Sequence, residues 1–205
     1  YRAAMMAFLG AVPDYLNTIT PKVRHLILKA AWFMDKKVYT EKIRALTAAL
    51  QAQPKEVFSG KKFLVTGIML DSLPVLDLLE ELNVAVVDDL LCHESMQFRT
   101  PTREGGTVAS KLAYRSLDLK GASPLYEPKK PRGKWLAQLA KARGADAVYF
   151  CLMKFCDPEA FDYPLVKKDL EEAGVPLLSV EHDQLVESTE QLRTRIQGFL
   201  EINLS

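Results

Sequence analysis

The segment at residues 145–153 limits the fold of this chain more than any other. It reads Ala-Asp-Ala-Val-Tyr-Phe-Cys-Leu-Met and is apolar throughout except for Asp146. A short continuous apolar run of this kind is typical of a strand buried on both faces, as in a parallel sheet. Cys156 follows soon after, in Lys154-Phe155-Cys156-Asp157-Pro158, where the strand should end and a helix begin.

The place of Cys156 after this strand makes it the main candidate for a functional residue. Ligands of open α/β sheets bind outside the carboxyl ends of the strands. A thiolate at that edge can ligate a metal or act as a nucleophile, whereas a cysteine within the strand fills the core. We therefore predict that Cys156 is functional and that Cys151, inside the apolar run, is a core residue.

Strands alternate with helices over most of the chain, which sets the predicted fold class. Further strands are predicted at residues 62–67, 84–89 and 175–180, and helices at 74–82, about 133–142, 159–173 and 188–200. This alternation predicts a parallel sheet with right-handed crossovers. We expect an α/β fold with a small four-stranded parallel sheet, Rossmann-like or flavodoxin-like, and flanking helices.

A helical segment is predicted to precede the sheet. Thr20-Pro21 is typical of a helix start, and Leu26, Ile27, Ala30, Ala31 and Phe33 follow at helical spacing as its apolar face. We expect residues 1–57 to form a helical connector and residues 58–205 a Rossmann-like domain. The chain opens on Tyr1 rather than Met, so we expect it to be a piece of a longer polypeptide.

Charge and cysteine content exclude several classes of protein. A formal net charge of +1 gives no reason to expect binding to nucleic acid or to an anionic membrane. The apolar runs fall short of the ~20 residues that cross a bilayer, and no signal peptide is visible. Three cysteines without regular spacing do not form a disulfide framework, which favours a reducing compartment, so we expect a cytoplasmic location.

Polar residues and glycine at the predicted strand ends are the other candidates. Gly67 is not part of a G-x-G-x-x-G or P-loop motif, so it is interpreted as a tight turn or as a close approach of the backbone to a ligand. Asp88 and Asp89 end the second predicted strand. Their interpretation stays open between capping and loop hydrogen bonds on the one hand and the wall of a site on the other.

Two further loops offer charged and metal-binding side chains. Cys92 and His93 have the chemistry of metal ligands, and Glu94, Gln97 and Arg99 follow at the same edge. Their spacing does not make a self-contained metal site. An ordinary polar loop is therefore as good an interpretation as a functional site.

The fourth predicted strand ends in Glu181-His182-Asp183, and Gln191, Arg193 and Arg195 follow in the last helix. The two arginines are interpreted either as surface charges or as groups that bind an anion or a thioester oxygen near a helix N-terminus.

Four motifs in order resemble one family. They are Glu94-Ser95 with Gln97-Phe98-Arg99-Thr100, then Lys130-Pro131-Arg132-Gly133, then residues 154–159 with Phe161-Asp162-Tyr163-Pro164, and finally residues 190–199. Together they resemble the 2-hydroxyacyl-CoA dehydratases, and in particular the beta subunit of (R)-2-hydroxyglutaryl-CoA dehydratase. Relatives of that family include ATP-dependent benzoyl-CoA reductases and double-cubane-cluster proteins.

The resemblance implies a cofactor and a set of partners. Cys156 would be one ligand of an iron–sulfur cluster, typically [4Fe-4S], whose other ligands lie outside this segment, in a first domain that precedes it. Residues 58–205 would then be the C-terminal domain of a larger subunit. The partners would be a homologous subunit in a heterodimer, or a second copy in a homodimer, an ATP-dependent activator protein and an acyl-CoA substrate.

The resemblance also implies a lyase with radical chemistry under anaerobic conditions. One-electron reduction of the thioester carbonyl gives a ketyl radical, which expels the adjacent hydroxyl and acidifies the remaining β-proton. Alternatives are a subunit of a benzoyl-CoA-type or double-cubane-cluster reductase, a non-catalytic electron-transfer subunit, or a binding domain without metal. Two positions depart from the pattern: Met96 replaces an arginine, which favours the non-catalytic alternative, and Glu190 stands where many relatives have glycine.

Overall fold

Four parallel strands form the centre of the molecule in a computed structural model that describes residues 1–122, 125, 127–183 and 189–204. The strands are β1 (Lys61–Gly67), β2 (Val84–Leu91), β3 (Ala147–Met153) and β4 (Leu177–His182). Their order in the sheet is β2-β1-β3-β4, and each neighbouring pair is parallel. The predicted α/β class and the four-stranded parallel sheet are confirmed.

Helices precede the sheet and separate its strands. The described residues form nine α-helices: α1 (Arg2–Ala11), α2 (Pro21–Ala30), α3 (Lys36–Gln51), α4 (Leu73–Glu81), α5 (Met96–Arg99), α6 (Val108–Leu117), α7 (Arg132–Arg143), α8 (Asp157–Glu172) and α9 (Glu190–Asn203). A short 3-10 helix, Val12–Asp14, follows α1. Within the described ranges, no helix combines the length and the apolar character that crossing a membrane requires.

The predicted helix start at Thr20-Pro21 is confirmed. The predicted apolar face of that helix is confirmed in part, since Ile27, Ala30 and Ala31 pack in an apolar cluster. The Thr20 side chain accepts a hydrogen bond from the Val23 amide, 3.3 Å away, and Pro21 takes the first helical position. Leu26 and Phe33 are exposed, whereas Arg24 and His25 are almost completely buried. The reason is a row of carboxylates on β2 and the following loop, which pairs with these two basic side chains.

Alternate residues of the strands face two separate helical layers. Phe63 and Tyr149 pack with α4 and α9, whereas Leu64, Val148 and Phe150 pack with α7 and α8. This alternation is the period of two that side chains have along a strand.

The N-terminal helices cover β2. Ala85 and Val87 of this strand share an apolar cluster with α1, α2 and α3. The boundary between a connector and a domain at residues 57 and 58 stays a prediction.

The strand order creates a crevice between β1 and β3. The chain passes from β1 outward to β2 and then returns to the other side of β1, so its direction reverses between these two strands. Ligands of open α/β sheets bind at such a point, outside the carboxyl ends of the strands. Gly67 ends β1 there, opposite Cys151 on β3.

Gly67 must be glycine because β3 passes close to it. Its φ of +143° is a conformation that other residues rarely adopt, and a Cβ at this position would lie 2.3 Å from the carbonyl oxygen of Cys151. The observed close approach is to the neighbouring strand, so Gly67 brings two backbones together at the edge where Cys156 emerges.

We expect Gly67→Ala to lower the free energy of unfolding by about 1–3 kcal/mol, because the new methyl group strains the backbone and pushes β3 away. Urea unfolding followed by circular dichroism measures this change. Gly10→Ala is the matched control, since nothing lies within 4 Å of its added Cβ in α1. A loss at Gly10 equal to that at Gly67 would contradict the close-approach argument.

Candidate functional site

Cys156 lies where β3 gives way to α8, at the carboxyl edge of the sheet. It is the N-cap residue of α8, and its amide donates to the Met153 carbonyl oxygen over 3.1 Å. Phe155, just before it, has a φ of +64° and a side chain that is 98% exposed. The turn ends the strand and leaves the half-buried Cys156 outside the apolar interior.

Cys151 is a core residue, as predicted. Its side chain is completely buried in the apolar cluster that includes Phe63 and Tyr149, and its thiol donates to the Met69 carbonyl oxygen at 3.2 Å. Burial raises the pKa of the Cys151 thiol well above its usual value. The protonated thiol is therefore a packing group rather than a ligand.

A buried ion pair lies behind Cys156. Arg132, the first residue of α7, pairs with Glu159 in the first turn of α8, and both side chains are buried. Arg132 Nη2 also donates to Thr66 Oγ1 on β1 at 2.9 Å, and its guanidinium carbon lies 4.9 Å from the centre of the Phe150 ring. Arg132 thus ties the helix that carries Cys156 to the two central strands.

Cys92 lies on the same edge of the sheet and is half-buried. Burial raises the pKa of its thiol; the charge of Arg132 opposes this, and the nearby Glu159 and Cys156 add to it. Its Sγ contacts Met96 Sδ at 3.9 Å. Cys92 and Cys156 are therefore near one another, although no spacing motif in the sequence pairs them.

Met96, where the resemblance led us to expect an arginine, lies in an apolar cluster. It is 8% exposed and packs with Leu64, Leu90 and Phe150 among other residues. A thioether suits this position because it fills the space without a charge that would need a partner.

Asp88 and Asp89 lie inside β2 rather than at its end. The strand continues through Leu90 and Leu91, which pair with Thr66 and Gly67 of β1. Both carboxylates are completely buried, so each needs a cation. The prediction that the strand ends at Asp89 is wrong. Two adjacent carboxylates favour a strand end, and the sequence around them does not show the cations that allow them to stay buried.

Three arginines from distant parts of the chain neutralise the two aspartates. Arg24 of α2 pairs with Asp89, while Arg99 of α5 and Arg143 of α7 pair with Asp88, the latter at 2.8 Å. Burial alone would raise the pKa of Asp89, but Arg24 and Arg99 hold it below its usual value.

Asp89 also organises the loop that follows β2. Its Oδ1 accepts from the amides of Leu91 at 2.9 Å and Ser95 at 3.1 Å. The alternative of loop hydrogen bonds is thus the one that the contacts support. The role of Arg24 was not predicted from the sequence, since a charged residue between Val23 and His25 gives no sign of its partner.

Cys92 and His93 belong to different surroundings. Cys92 lies beside Met96, whereas the side chain of His93 lies near His25 of α2 and Glu94. A metal site shared by Cys92 and His93 is therefore not what this loop forms. Glu94 is buried and pairs with Arg24 at 2.8 Å.

The end of β4 borders a cleft of about 360 Å³ beside the crevice between β1 and β3. Its lining includes Asp71, Met153 and His182. His182 lies 2.5 Å from the Tyr149 hydroxyl, and burial lowers the pKa of its imidazole to about 4.

Arg193 and Arg195 lie in α9, which follows β4 in the chain. Arg193 pairs with Glu81, and Arg195 is exposed. These contacts support the interpretation of surface charges. The predicted helix start at Ser188 lies outside the described residues.

The family motifs therefore converge on one edge of the sheet. Three of the four supply residues there: the loop with Glu94 and Arg99, the N-terminus of α7 with Arg132, and the start of α8 with Cys156 and Glu159. Strand ends of a parallel sheet bring together such segments, which are far apart in the chain.

Comparison with known proteins agrees with this convergence. The family model described as 2-hydroxyglutaryl-CoA dehydratase, D-component, matches residues 1–203. The chain is 43% identical over 201 residues to the (R)-phenyllactyl-CoA dehydratase beta subunit of Clostridium sporogenes, covering 98% of this chain and 54% of that protein. It is 40% identical over 202 residues to the beta subunit of lactoyl-CoA dehydratase of Anaerotignum propionicum, with the same coverage of each.

The beta subunit of (R)-2-hydroxyglutaryl-CoA dehydratase from Acidaminococcus fermentans is 31% identical over 204 residues, with 98% of this chain and 54% of that protein covered. The chain thus spans about half the length of these curated relatives. The resemblance drawn from the four motifs is confirmed, and the chain belongs to the 2-hydroxyglutaryl-CoA dehydratase D-component family.

Proposed function

We propose that this chain is the C-terminal part of the beta subunit of a 2-hydroxyacyl-CoA dehydratase and that Cys156 is one ligand of its iron–sulfur cluster. The names of these three relatives, all beta subunits of such dehydratases, support the reaction class. The observation that carries the proposal is the thiol of Cys156 at the carboxyl edge of the sheet, in a family motif.

The surroundings of Cys156 fit a ligand thiolate. It is the N-cap residue of a helix of 16 residues, so it lies at the positive end of the helix dipole. No hydrogen bond among the described residues occupies its Sγ, unlike that of Cys151. A [4Fe-4S] cluster needs several thiolates. Cys151 is enclosed in the core and Cys92 packs against Met96, so we propose that the other ligands come from outside this chain.

The cluster, when bound, would lend one low-potential electron to the thioester carbonyl. The adjacent hydroxyl would leave as hydroxide, and after loss of the β-proton the electron would be returned, so that the dehydration involves no net oxidation or reduction. This chain contributes an anchored sulfur and apolar packing behind it. Arg132 and Glu159 fix the start of α8, and the buried residues of β3 exclude water from that side. We further propose an acyl-CoA substrate, a homologous partner subunit, an ATP-dependent activator and a cytoplasmic location.

A non-catalytic electron-transfer subunit is the second candidate, and Met96 is the observation that favours it. The apolar packing of Met96 leaves no cation at that position for polarising a substrate. A reductase role has weaker support, since one of the benzoyl-CoA reductase subunits of Thauera aromatica is 19% identical over 163 residues.

Turnover separates these candidates. We expect the full-length subunit, purified anaerobically with its partner subunit and a reduced activator, to convert a 2-hydroxyacyl-CoA into the 2-enoyl-CoA. Chromatography of the CoA esters measures the product, and omission of the activator is the control. Turnover by the native subunit supports the dehydratase. Iron in a subunit that gives no turnover would assign electron transfer to it.

A further inference from the structure

His93 has a polar ring that nothing in the described residues satisfies. Neither ring nitrogen makes a hydrogen bond, and both atoms are shielded from solvent, although 19% of the side chain is exposed. A buried polar atom without a partner costs free energy, and native proteins commonly satisfy such atoms with water or with an ion. The ring nitrogens of His93 therefore need a partner that the described residues do not supply.

Two other donors converge on the same point. His25 Nδ1 lies 2.7 Å from Glu94 Oε1, and His93 Nε2 lies 3.6 Å from that same oxygen. The donor atoms of the three residues all lie within 4.8 Å of one another. Donors on one zinc ion, each bonded at about 2.0–2.2 Å, lie roughly 3.3 Å apart. To complete the site, the longest separation must therefore shorten by up to about 1.5 Å, and the contact between His25 and Glu94 must lengthen by about 0.6 Å.

The remaining hydrogen bonds of His25 and Glu94 resemble those made by residues that bind a metal ion. The other ring nitrogen of His25 lies 3.0 Å from Asp71 Oδ1, and Asp71 is held in turn by Lys29 at 2.6 Å. A histidine that binds a metal usually donates its second N–H to a carboxylate in this way. Glu94 Oε2 accepts from Arg24, which leaves Oε1 directed to the two histidines.

We propose that His25, His93 and Glu94 bind a divalent transition-metal ion, zinc in the first place, at a site separate from Cys156. Two imidazoles and one carboxylate are a ligand set that zinc takes up with a water as the fourth ligand. Such an ion joins α2 to the loop after β2. It therefore stabilises the packing of the N-terminal helices on the sheet, and it takes no part in the reaction at the cysteine.

Metal counting on the full-length subunit tests this site. The protein is treated with a chelator under anaerobic conditions, dialysed against micromolar Zn²⁺ and analysed for zinc and iron by mass spectrometry. We expect about one zinc per subunit in the wild type and about a tenth of that or less in His93→Ala, with a higher melting temperature in zinc only for the wild type. His93→Ala should fold normally because its ring makes no hydrogen bond.

His182→Asn is the matched control, since His182 is the only other histidine of the chain and lies against Tyr149. The His182→Asn protein should keep its zinc. Wild-type protein that takes up no zinc would overturn the proposal and assign the space beside His93 to water. Equal zinc in wild type and His93→Ala would also overturn it. Iron is counted separately from zinc. If the cluster assignment at Cys156 fails, the iron measurement shows it and the zinc content is not affected.

Discussion

Replacing Cys156 with alanine in the full-length subunit is expected to abolish iron binding and the visible absorbance of the cluster. Cys156 leaves the apolar interior at the carboxyl edge of the sheet, at the start of α8. A cluster that loses a thiolate ligand is destabilised. Cys151 is enclosed in the core and Cys92 packs against Met96, so we expect neither to replace it. Iron analysis and absorbance of anaerobically purified protein measure the effect.

Cys151→Ala is the control for this substitution. It removes a buried sulfur of the core, so it should keep the full iron content and cost about 1 kcal/mol or more in free energy of unfolding. Full iron content in Cys156→Ala would refute the ligand assignment. Loss of iron in Cys151→Ala would show that the division between the two cysteines is wrong.

Asp89→Ala is expected to destabilise the chain by about 3–5 kcal/mol, because it leaves the buried guanidinium of Arg24 without its main partner. The loop after β2 would also lose the acceptor for two amides, those of Leu91 and Ser95. Chemical unfolding measures the change.

The control for Asp89→Ala is Asp118→Ala, which removes an ion pair with Arg103 that is partly exposed on both sides. Pairs of that kind contribute about 0–1 kcal/mol. Equal effects of the two substitutions would contradict the picture of a buried network.

The contribution of Asp89 should depend on pH in a defined direction. Burial raises the pKa of its carboxyl, but the charges of Arg24 and Arg99 hold the pKa below the ordinary value. A carboxyl whose pKa is lower in the folded than in the unfolded state stabilises the protein above the unfolded pKa and loses that effect as the pH falls. The difference in stability between wild type and Asp89→Ala should therefore narrow in acid.

Local patterns were sufficient to predict the fold. The apolar run that became β3 and the alternation of strands with helices depend on neighbouring residues, and all four strands were found. The end of β2 was missed, because Asp88 and Asp89 can remain in a buried strand only when arginines from α2, α5 and α7 neutralise them. Those arginines lie outside the short segment whose pattern predicts the strand.

The candidate site could be predicted only in part, because it too depends on contacts between distant parts of the chain. Cys156 stands out because the strand before it is a local feature. The pairing of Arg132 with Glu159, and of His25 with Glu94, joins residues that are 27 and 69 positions apart. Such contacts depend on how helices pack onto the sheet, which the spacing of residues in one chain does not specify.

The most direct test of the account is the position of iron relative to Cys156. Anomalous diffraction at the iron edge, from crystals of the anaerobically purified full-length subunit, locates it without reference to activity. We expect an iron peak within bonding distance of Cys156 Sγ, beyond the carboxyl ends of β1 and β3. An iron site held entirely by other residues, with the Cys156 thiol unbound, would contradict the ligand assignment.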